Sequence, residues 1–270
     1  ITGLYINRPD EDAVGLFSLV RLGGVITNLG IQGGSVTGRR LVGGLLGVGN
    51  ECTVSNCFFR GEVSSNCGEN YYIIISTGGL IGRSQIMTAE RSYAVVEVSG
   101  CREVGGLIGA DHGSLISQCY ARGIVSGQQE VGGLIGGVSG RISECYVAAA
   151  VYCPTAQGVF GIGNKPVLEA IFWDQQISGV TTSGGGSAVV ALTTAQMMSP
   201  DSFVSAGWDF DEVWNINPGV SYPFFRIWEG VTETVVPDLT GMTVSEATVV
   251  SAQADLGAVT SIERYHETVS

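Results

Sequence analysis

Few side chains in this 270-residue sequence could carry out nucleophilic or acid–base chemistry, and one short segment brings three of them together. Asp111, His112 and Ser114 lie in the run Ala-Asp-His-Gly-Ser, and His266 is the other of the two histidines. A catalytic triad needs its nucleophile, base and orienting acid to converge in space, which adjacency along the chain does not provide. We therefore interpret this segment as a solvated turn between strands.

Two other segments resemble ligand-binding loops only in part. The run from Gly161 to Lys165 lacks the Gly-Lys-Ser/Thr of a phosphate-binding loop. The tightest acidic group, Asp10-Glu11-Asp12, lacks the glycine and the distant glutamate of an EF-hand, which leaves a weak surface calcium site as an alternative to a solvated acidic turn. The sequence predicts no cofactor and no resident metal.

Composition excludes two classes of partner. The chain has 13 basic and 25 acidic residues, so nucleic acid or an anionic membrane surface would be repelled. No apolar run approaches the roughly 18 residues that can span a bilayer.

The 41 glycines lack a collagen period and therefore indicate tight corners between strands. The chain opens in mid-pattern at Ile1, without a signal peptide, which suggests a processed amino terminus.

A hexapeptide of the type Val-Gly-Gly-Leu-Ile-Gly recurs through the first half of the chain. Its second glycine and the following leucine are Gly44 and Leu45, Gly79 and Leu80, Gly106 and Leu107, and Gly133 and Leu134. The steps are 35, 27 and 27 residues, and an insertion around residues 66 to 77 accounts for the longer one. Such a period fits one coil of a solenoid, which closes its core only by stacking on its neighbours.

A small residue followed by an aromatic one recurs after each hexapeptide, and an alternating strand follows the pair. The pairs are Cys57-Phe58, Ser92-Tyr93, Cys119-Tyr120 and Cys145-Tyr146. We predict a three-sided coil whose parallel strands stack about 4.8 Å apart. The four leucines would then form one ladder and the four small residues another.

The seven cysteines contain no Cys-x-x-Cys pair, so the spacings of zinc ribbons, thioredoxin-like motifs and c-type haem sites are missing. Buried thiols and disulfides both remain as interpretations. Cys67, in the insertion, and Cys101, in the following coil, fall at nearly equivalent places. We predict a disulfide between them.

The repeats, together with Ser-Gln-Cys-Tyr-Ala-Arg-Gly-Ile-Val-Ser-Gly at 117–127, resemble the GLUG motif of bacterial surface and adhesin-like proteins. The tail resembles the segment that closes such arrays, with Phe172-Trp173-Asp174 and Gly207-Trp208-Asp209-Phe210 as its clearest parts. This resemblance implies an architecture more than an activity. The aromatic residues of the tail would cover the open end of the solenoid, with a sugar-binding platform as the alternative.

The run Val236-Pro237-Asp238-Leu239-Thr240-Gly241-Met242 resembles the opening of a PASTA domain, an extracellular module associated with peptidoglycan. The predicted fold is therefore all-β: a parallel β-solenoid, or β-helix, of about five to six coils. It would occupy residues 1–175, followed by a capping segment at 176–230 and a small, partial α/β module at 231–270.

These features favour a non-catalytic, extracellular structural or adhesive protein that acts as a rigid surface rod or spacer. Its partners would be other copies of itself or components of the surface and cell wall, including glycans. One alternative is a subunit that assembles end to end, by stacking or strand complementation, into a filament. A further alternative is a carbohydrate-active β-helix enzyme, although the repeats place no Asp, Lys or Arg at a common groove position.

Overall fold

Tight corners divide the repeat region into strands of two to nine residues. In the computed structural model, which describes residues 1–66, 75–154, 158–180, 182–183 and 186–229, these strands form an all-β parallel β-solenoid. The predicted fold class is confirmed. Its coils, however, have four strands each, which lie in four parallel sheets that we name A to D, where three sides were expected.

Each of the four sheets gathers one strand from successive coils, in the order in which the strands pair. Sheet A contains Tyr5–Asn7, Gly30–Gly38, Phe58–Ser65, Tyr93–Ser99, Tyr120–Ser126, Tyr146–Tyr152, Ile171–Asp174 and Val189–Leu192. Sheet B contains Asp12–Val14, Arg40–Gly43, Thr77–Gly78, Arg102–Gly105 and Gln129–Gly132. Sheet C contains Phe17–Arg21, Leu46–Asn50, Ile81–Gln85, Ile108–His112, Ile135–Val138 and Phe160–Gly163. Sheet D contains Val25–Thr27, Thr53–Ser55, Thr88–Glu90, Leu115–Ser117, Arg141–Ser143 and Val167–Glu169.

Each coil runs through sheets B, C, D and A in that order. Within the described residues there are five four-stranded coils and a sixth with strands in sheets C, D and A. The pairing is one to one between the coils on either side of the 35-residue step, because Tyr93 pairs with Phe58 and Ser99 with Ser64. The extra residues of that step therefore fall between sheets A and B and leave the strand register unchanged.

The leucines of the hexapeptide form the predicted ladder. The backbone N–H of Leu45 donates to the carbonyl of Leu80 at 3.0 Å, Leu80 to Leu107 at 2.9 Å, and Leu107 to Leu134 at 2.9 Å. All four side chains are completely buried in the interior of the solenoid. Burial of each contributes about 1.5–3 kcal/mol, so the ladder is a large part of the core.

The small residues form the second predicted ladder at the corner between sheets D and A. The thiol of Cys57 donates to the carbonyl of Ser55 at 3.2 Å, and the hydroxyl of Ser92 donates to the carbonyl of Glu90 at 2.8 Å. The residue between donor and acceptor has a left-handed backbone, with φ of 51° at Asn56. A small polar side chain thus closes the turn, and the aromatic residue that follows points outward.

The motif glycines are required for a reason other than their backbone angles, since a left-handed φ is absent from both Gly136 and Gly137. A Cβ at Gly136 would lie 2.5 Å from the backbone nitrogen of Val104 in the preceding coil, and closer still to the carbonyl carbon of Glu103. At Gly137 the nearest atom would be the Glu103 Oε1, at 3.6 Å. Close packing between coils therefore excludes a side chain at the first position only.

After the sixth coil the described chain adds the strand Val189–Leu192 to sheet A and then leaves the stack. Its short helices are Gln175–Ser178, Thr194–Met197 and Asp201–Val204, with 3₁₀ turns at Gly186–Ala188 and Arg226–Trp228. An antiparallel pair, Trp214–Asn215 with Phe224–Phe225, follows. Thr193 caps the helix at Thr194–Met197 with a capping box.

The PASTA-like region at 231–270 lies outside the described residues. Within the described residues, no helix is both long enough and apolar enough to cross a bilayer.

The two neighbouring glycines provide a matched test of coil stacking. We expect Gly136→Ala to lower the free energy of unfolding by about 1–3 kcal/mol, because backbone from the preceding coil occupies the Cβ position. Gly137→Ala should be neutral or slightly stabilising, because that position is open and alanine restricts the unfolded chain. Urea unfolding followed by circular dichroism measures both. Equal destabilisation by the two variants would contradict this account of the motif.

Candidate functional site

Asp111, from the segment with nucleophilic and acid–base residue types, ties three coils together. Its Oδ1 accepts from the Ser84 hydroxyl and from the Ser114 N–H, both at 3.0 Å. Its Oδ2 accepts from the Gly140 N–H at 2.7 Å and from the Ser139 N–H at 3.3 Å. The carboxylate is buried and fully used in these bonds.

His112 and Ser114 face other groups. The Ser114 hydroxyl accepts from the backbone N–H of Met87 at 3.3 Å, and the buried His112 Nε2 has no hydrogen-bond partner among the described residues. Burial, followed by the nearby Arg83, lowers the pKa of His112. The three side chains therefore do not form a hydrogen-bonded triad, and the segment joins coils through Asp111.

Arginine side chains form ion pairs with Asp12 and Glu11 in the acidic cluster near the amino terminus. Asp12 accepts from Arg39 Nε at 2.8 Å and from two nitrogens of Arg40, and Glu11 pairs with Arg8. The hydrogen bond from Arg40, the largest effect, together with Arg39 lowers the pKa of Asp12 to about 2. Across the described residues, no three His, Cys, Asp or Glu side chains come together as metal ligands would. The run at 161–165 begins in the last strand of sheet C, so it lacks the strand-to-helix setting of a phosphate loop.

The cysteines of the small-residue ladder are buried thiols. Burial raises the pKa of Cys57 to about 12 and that of Cys52 to about 11, which makes both thiols poor nucleophiles. Cys101 is buried and disulfide-bonded. Cys67 lies outside the described residues, so the pairing of Cys67 with Cys101 stays a prediction.

The outer face of sheet A carries a stack of aromatic rings, which are the aromatic members of the small–aromatic pairs. Phe58 and Tyr93 are stacked with centroids 4.9 Å apart, Tyr93 and Tyr120 at 4.6 Å, and Tyr120 and Tyr146 at 4.8 Å. Side chains alternate along a strand, so Phe59 points into the core while Phe58 points outward. Left uncovered, this stack would be a large apolar patch.

Residues 193–229, which we name the overlay segment, cover that stack. The ring centroid of Trp214 lies 6.2 Å from those of both Tyr120 and Tyr146. Trp228 packs edge to face on Phe58, with the ring centroids 4.7 Å apart. The Tyr146 hydroxyl donates to the Pro223 carbonyl at 2.6 Å, deep in the interface. From the sequence we expected these aromatic residues over the open end of the solenoid. In the structure they lie along its side and reach back to the second coil.

Among the described strands, Val189–Leu192 continues the stack at that end, where it pairs with Ile171–Asp174, and the Ser183 carbonyl accepts from the N–H groups of Val159 and Phe160. The side is covered because exposing a continuous row of aromatic rings to water is unfavourable. Tyr222 fixes the overlay segment to the sixth coil by donating to Asp174 Oδ2 at 2.8 Å. The expected helix near residues 192–198 is present at Thr194–Met197.

A cavity of about 240 Å³ lies between the overlay segment and sheet A. Its lining includes Arg60, Tyr93, Tyr120 and Arg122 on the sheet, with Ser221, Tyr222, Phe224, Phe225, Trp228 and Glu229 opposite. The Arg60 guanidinium carbon lies 5.4 Å from the centroids of both Phe58 and Tyr93. Arg122 lies 5.5 Å from the centroid of Tyr120 and 5.8 Å from that of Tyr222.

The two cavity arginines are not among the candidate residues that the sequence singled out. Each stands two residues after the aromatic member of its pair, and Arg60, Val95 and Arg122 occupy equivalent positions of successive coils. They share a column on the outer face of sheet A with Val95 between them, whereas the sequence was interpreted as placing no Asp, Lys or Arg at a common groove position. The signal was present as Phe-x-Arg and Tyr-x-Arg, but only the overlay segment turns this column into the wall of a cavity.

The buried tyrosines predict a loss of stability at alkaline pH. Burial raises the pKa of Tyr93, Tyr120 and Tyr146, so the unfolded chain loses protons above pH ~10 that the folded chain keeps. Stability should be complete below that pH and fall as pH rises, by up to about 1.4 kcal/mol per pH unit for each group.

Urea unfolding between pH 7 and 11 measures the slope. Tyr146→Phe should flatten it, whereas removal of the exposed hydroxyl in Tyr5→Phe serves as the control and should leave it unchanged. An identical slope for Tyr146→Phe and the unaltered protein would contradict the prediction.

Comparisons with known proteins support the fold and leave the activity open. No family model matches the chain. A "Putative Gly-rich membrane protein" of Evansella cellulosilytica is 28% identical over 101 residues, which are 35% of this chain and 11% of that protein. This chain thus spans about a tenth of that relative. The solved structure of a "putative immunoglobulin A1 protease" from Bacteroides ovatus superposes with a TM-score of 0.60 and 18% identity, over 83% of this chain and 74% of that one. At that identity the likeness is one of fold.

Proposed function

We propose that this chain is a non-catalytic structural and adhesive module of a bacterial surface protein, in which the β-solenoid acts as a rigid rod or spacer. The observation that carries this proposal is the continuous pairing of parallel strands from coil to coil, with a register shift between Gln32 and Gly34 in the first coil. Sheets C and D are each six strands deep, which corresponds to about 24 Å along the stack. Each coil bonds to its neighbours through its backbone, so length can be added without a new core.

Further observations support a surface location. The matched relative is described as a membrane protein. The GLUG repeats and the PASTA domain that the sequence resembles are features of surface and extracellular proteins. A non-catalytic role is supported by Asp111, whose carboxylate is consumed by serines and backbone amides and is not available to activate His112. The partners we propose are components of the surface and cell wall, including glycans.

A second candidate, end-to-end assembly, is favoured by one edge of the stack. The first strands of sheets B, C and D pair on one side only within the described residues, and Leu19, Leu22 and Val25 are exposed there. An edge of this kind pairs with further coils of its own polypeptide or with another copy. Electron microscopy of the purified chain should show filaments that Val25→Lys, a charged edge residue, abolishes. Isolated particles of the unaltered chain at high concentration would refute assembly by this edge.

The rod proposal predicts how the chain responds to force. Pulled by its two ends in an optical trap, the solenoid should resist and then lengthen in steps that are multiples of one coil. A coil of 27 residues releases about 90 Å of chain when it extends fully. Gly136→Ala should lower the force of the first step, and Gly137→Ala serves as the matched control. Smooth extension at low force, without steps, would rule out a rigid spacer.

A further inference from the structure

The cavity under the overlay segment is lined by two arginines and one carboxylate, Glu229, which accepts a hydrogen bond from Asn215 at 2.8 Å. Within the described residues, neither Arg60 nor Arg122 forms a salt bridge with a carboxylate. Arg60 donates instead to the Tyr93 hydroxyl at 2.9 Å, and its Nε is buried without an acceptor. Both side chains are half-buried, so part of their hydration is already lost.

Some arginines of the described chain pair with carboxylates, whereas Arg226 bonds to a backbone carbonyl instead. Arg102 forms two hydrogen bonds of 2.9 Å with Glu130, and Arg141 pairs with Glu169 at 3.2 Å. Neither cavity arginine pairs with Glu229 or with another carboxylate of the described residues, although the chain has 25 acidic and 13 basic residues. A buried donor without a partner requires an explanation, and an anionic ligand supplies one.

The floor of the cavity restricts how a ligand can be recognised. It is formed by interior strands of sheet A, whose backbone groups bond to the neighbouring coils on both sides. A peptide could not add itself as a further strand at this place. What the floor and roof offer are aromatic rings, tyrosine and serine hydroxyls, two guanidinium groups and the carboxylate of Glu229.

Size and surface chemistry narrow the class of ligand. The cavity, at about 240 Å³, is smaller than the roughly 300–1,000 Å³ of sites for drug-sized molecules, so its occupant is a small unit. Aromatic walls suit the apolar face of a sugar ring, and a planar guanidinium suits a carboxylate. An acidic sugar combines these two features in one residue.

We propose that this cavity binds an acidic sugar residue of a surface glycan, with Arg60 and Arg122 supplying the positive charge and the aromatic residues supplying the wall for the ring. The inference gives a ligand class to the adhesive part of the proposed function and rests on that part alone. The competing account is that both arginines only pack on aromatic faces, where cation–π contact by itself explains their positions.

Calorimetric titration of the full chain separates these accounts. The probes are D-glucuronate, D-glucose as the neutral analogue, and N-acetylglycine as a carboxylate of the peptide type. Glucuronate should bind at least tenfold more tightly than glucose, and its affinity should fall as sodium chloride is added, whereas that of glucose should not. The salt series uses the unaltered protein and so does not depend on any variant folding.

Substitution then assigns the binding to the cavity. Arg60→Gln and Arg122→Gln should each weaken glucuronate binding at least tenfold, while Arg122→Lys should restore part of the loss because it keeps the charge. Arg141→Gln, which removes an exposed arginine on sheet D, should leave the affinity unchanged. Thermal unfolding of each variant verifies that the overlay segment still packs on the sheet.

Three results would overturn the proposal. Glucuronate and glucose could bind equally or not at all, the two glutamine variants could keep full affinity, or N-acetylglycine could match glucuronate, which would assign the cavity to peptide carboxylates. The rod is tested by stepwise extension under force, which does not involve the cavity. Failure of this inference with force steps intact would leave a spacer without this ligand, and the reverse result would leave a binding module without a rigid rod.

Discussion

The hydrogen bond from one coil to the next is the interaction on which the whole molecule depends. A single coil of about 27 residues encloses too few side chains to form a core, and its backbone groups point up and down the stack. The run of bonds from Leu45 to Leu80, Leu107 and Leu134 satisfies those groups and stacks four buried side chains at the same time. Glycines beside the leucines allow this approach, because the Cβ positions at Gly106 and Gly136 are taken by backbone of adjacent coils.

The same stacking produces the aromatic surface of sheet A. Once a small residue closes the corner between sheets D and A, the next residue must point outward, and the one-to-one register places it over its counterpart in the next coil. Aromatic residues at that position become a continuous stack of rings. Water exposure of such a stack is unfavourable, so the repeat creates a surface that some segment of the chain must cover.

Charge is distributed according to the same geometry. Carboxylates and guanidinium groups that face each other across adjacent coils form pairs, as in Arg102 with Glu130. Asp111, in contrast, is buried, and it is stabilised by the hydrogen bonds of Ser84, Ser114 and Gly140 from three successive coils. Arg60 and Arg122 follow a third pattern, in which aromatic faces replace carboxylates. At the cavity, the two arginines therefore contact aromatic rings and form no ion pair across adjacent coils.

The sequence by itself determined the parallel solenoid, the leucine ladder and the ladder of small residues, because a fixed period makes each coil its own template. It did not reveal the fourth strand of each coil, since Thr53–Ser55 and its equivalents are three residues long and read as turn. Only the tertiary structure decided where residues 193–229 lie and what they enclose. Their contacts join positions as distant as Phe58 and Trp228, and no local pattern encodes which apolar surface, the end or the side, a chain will cover.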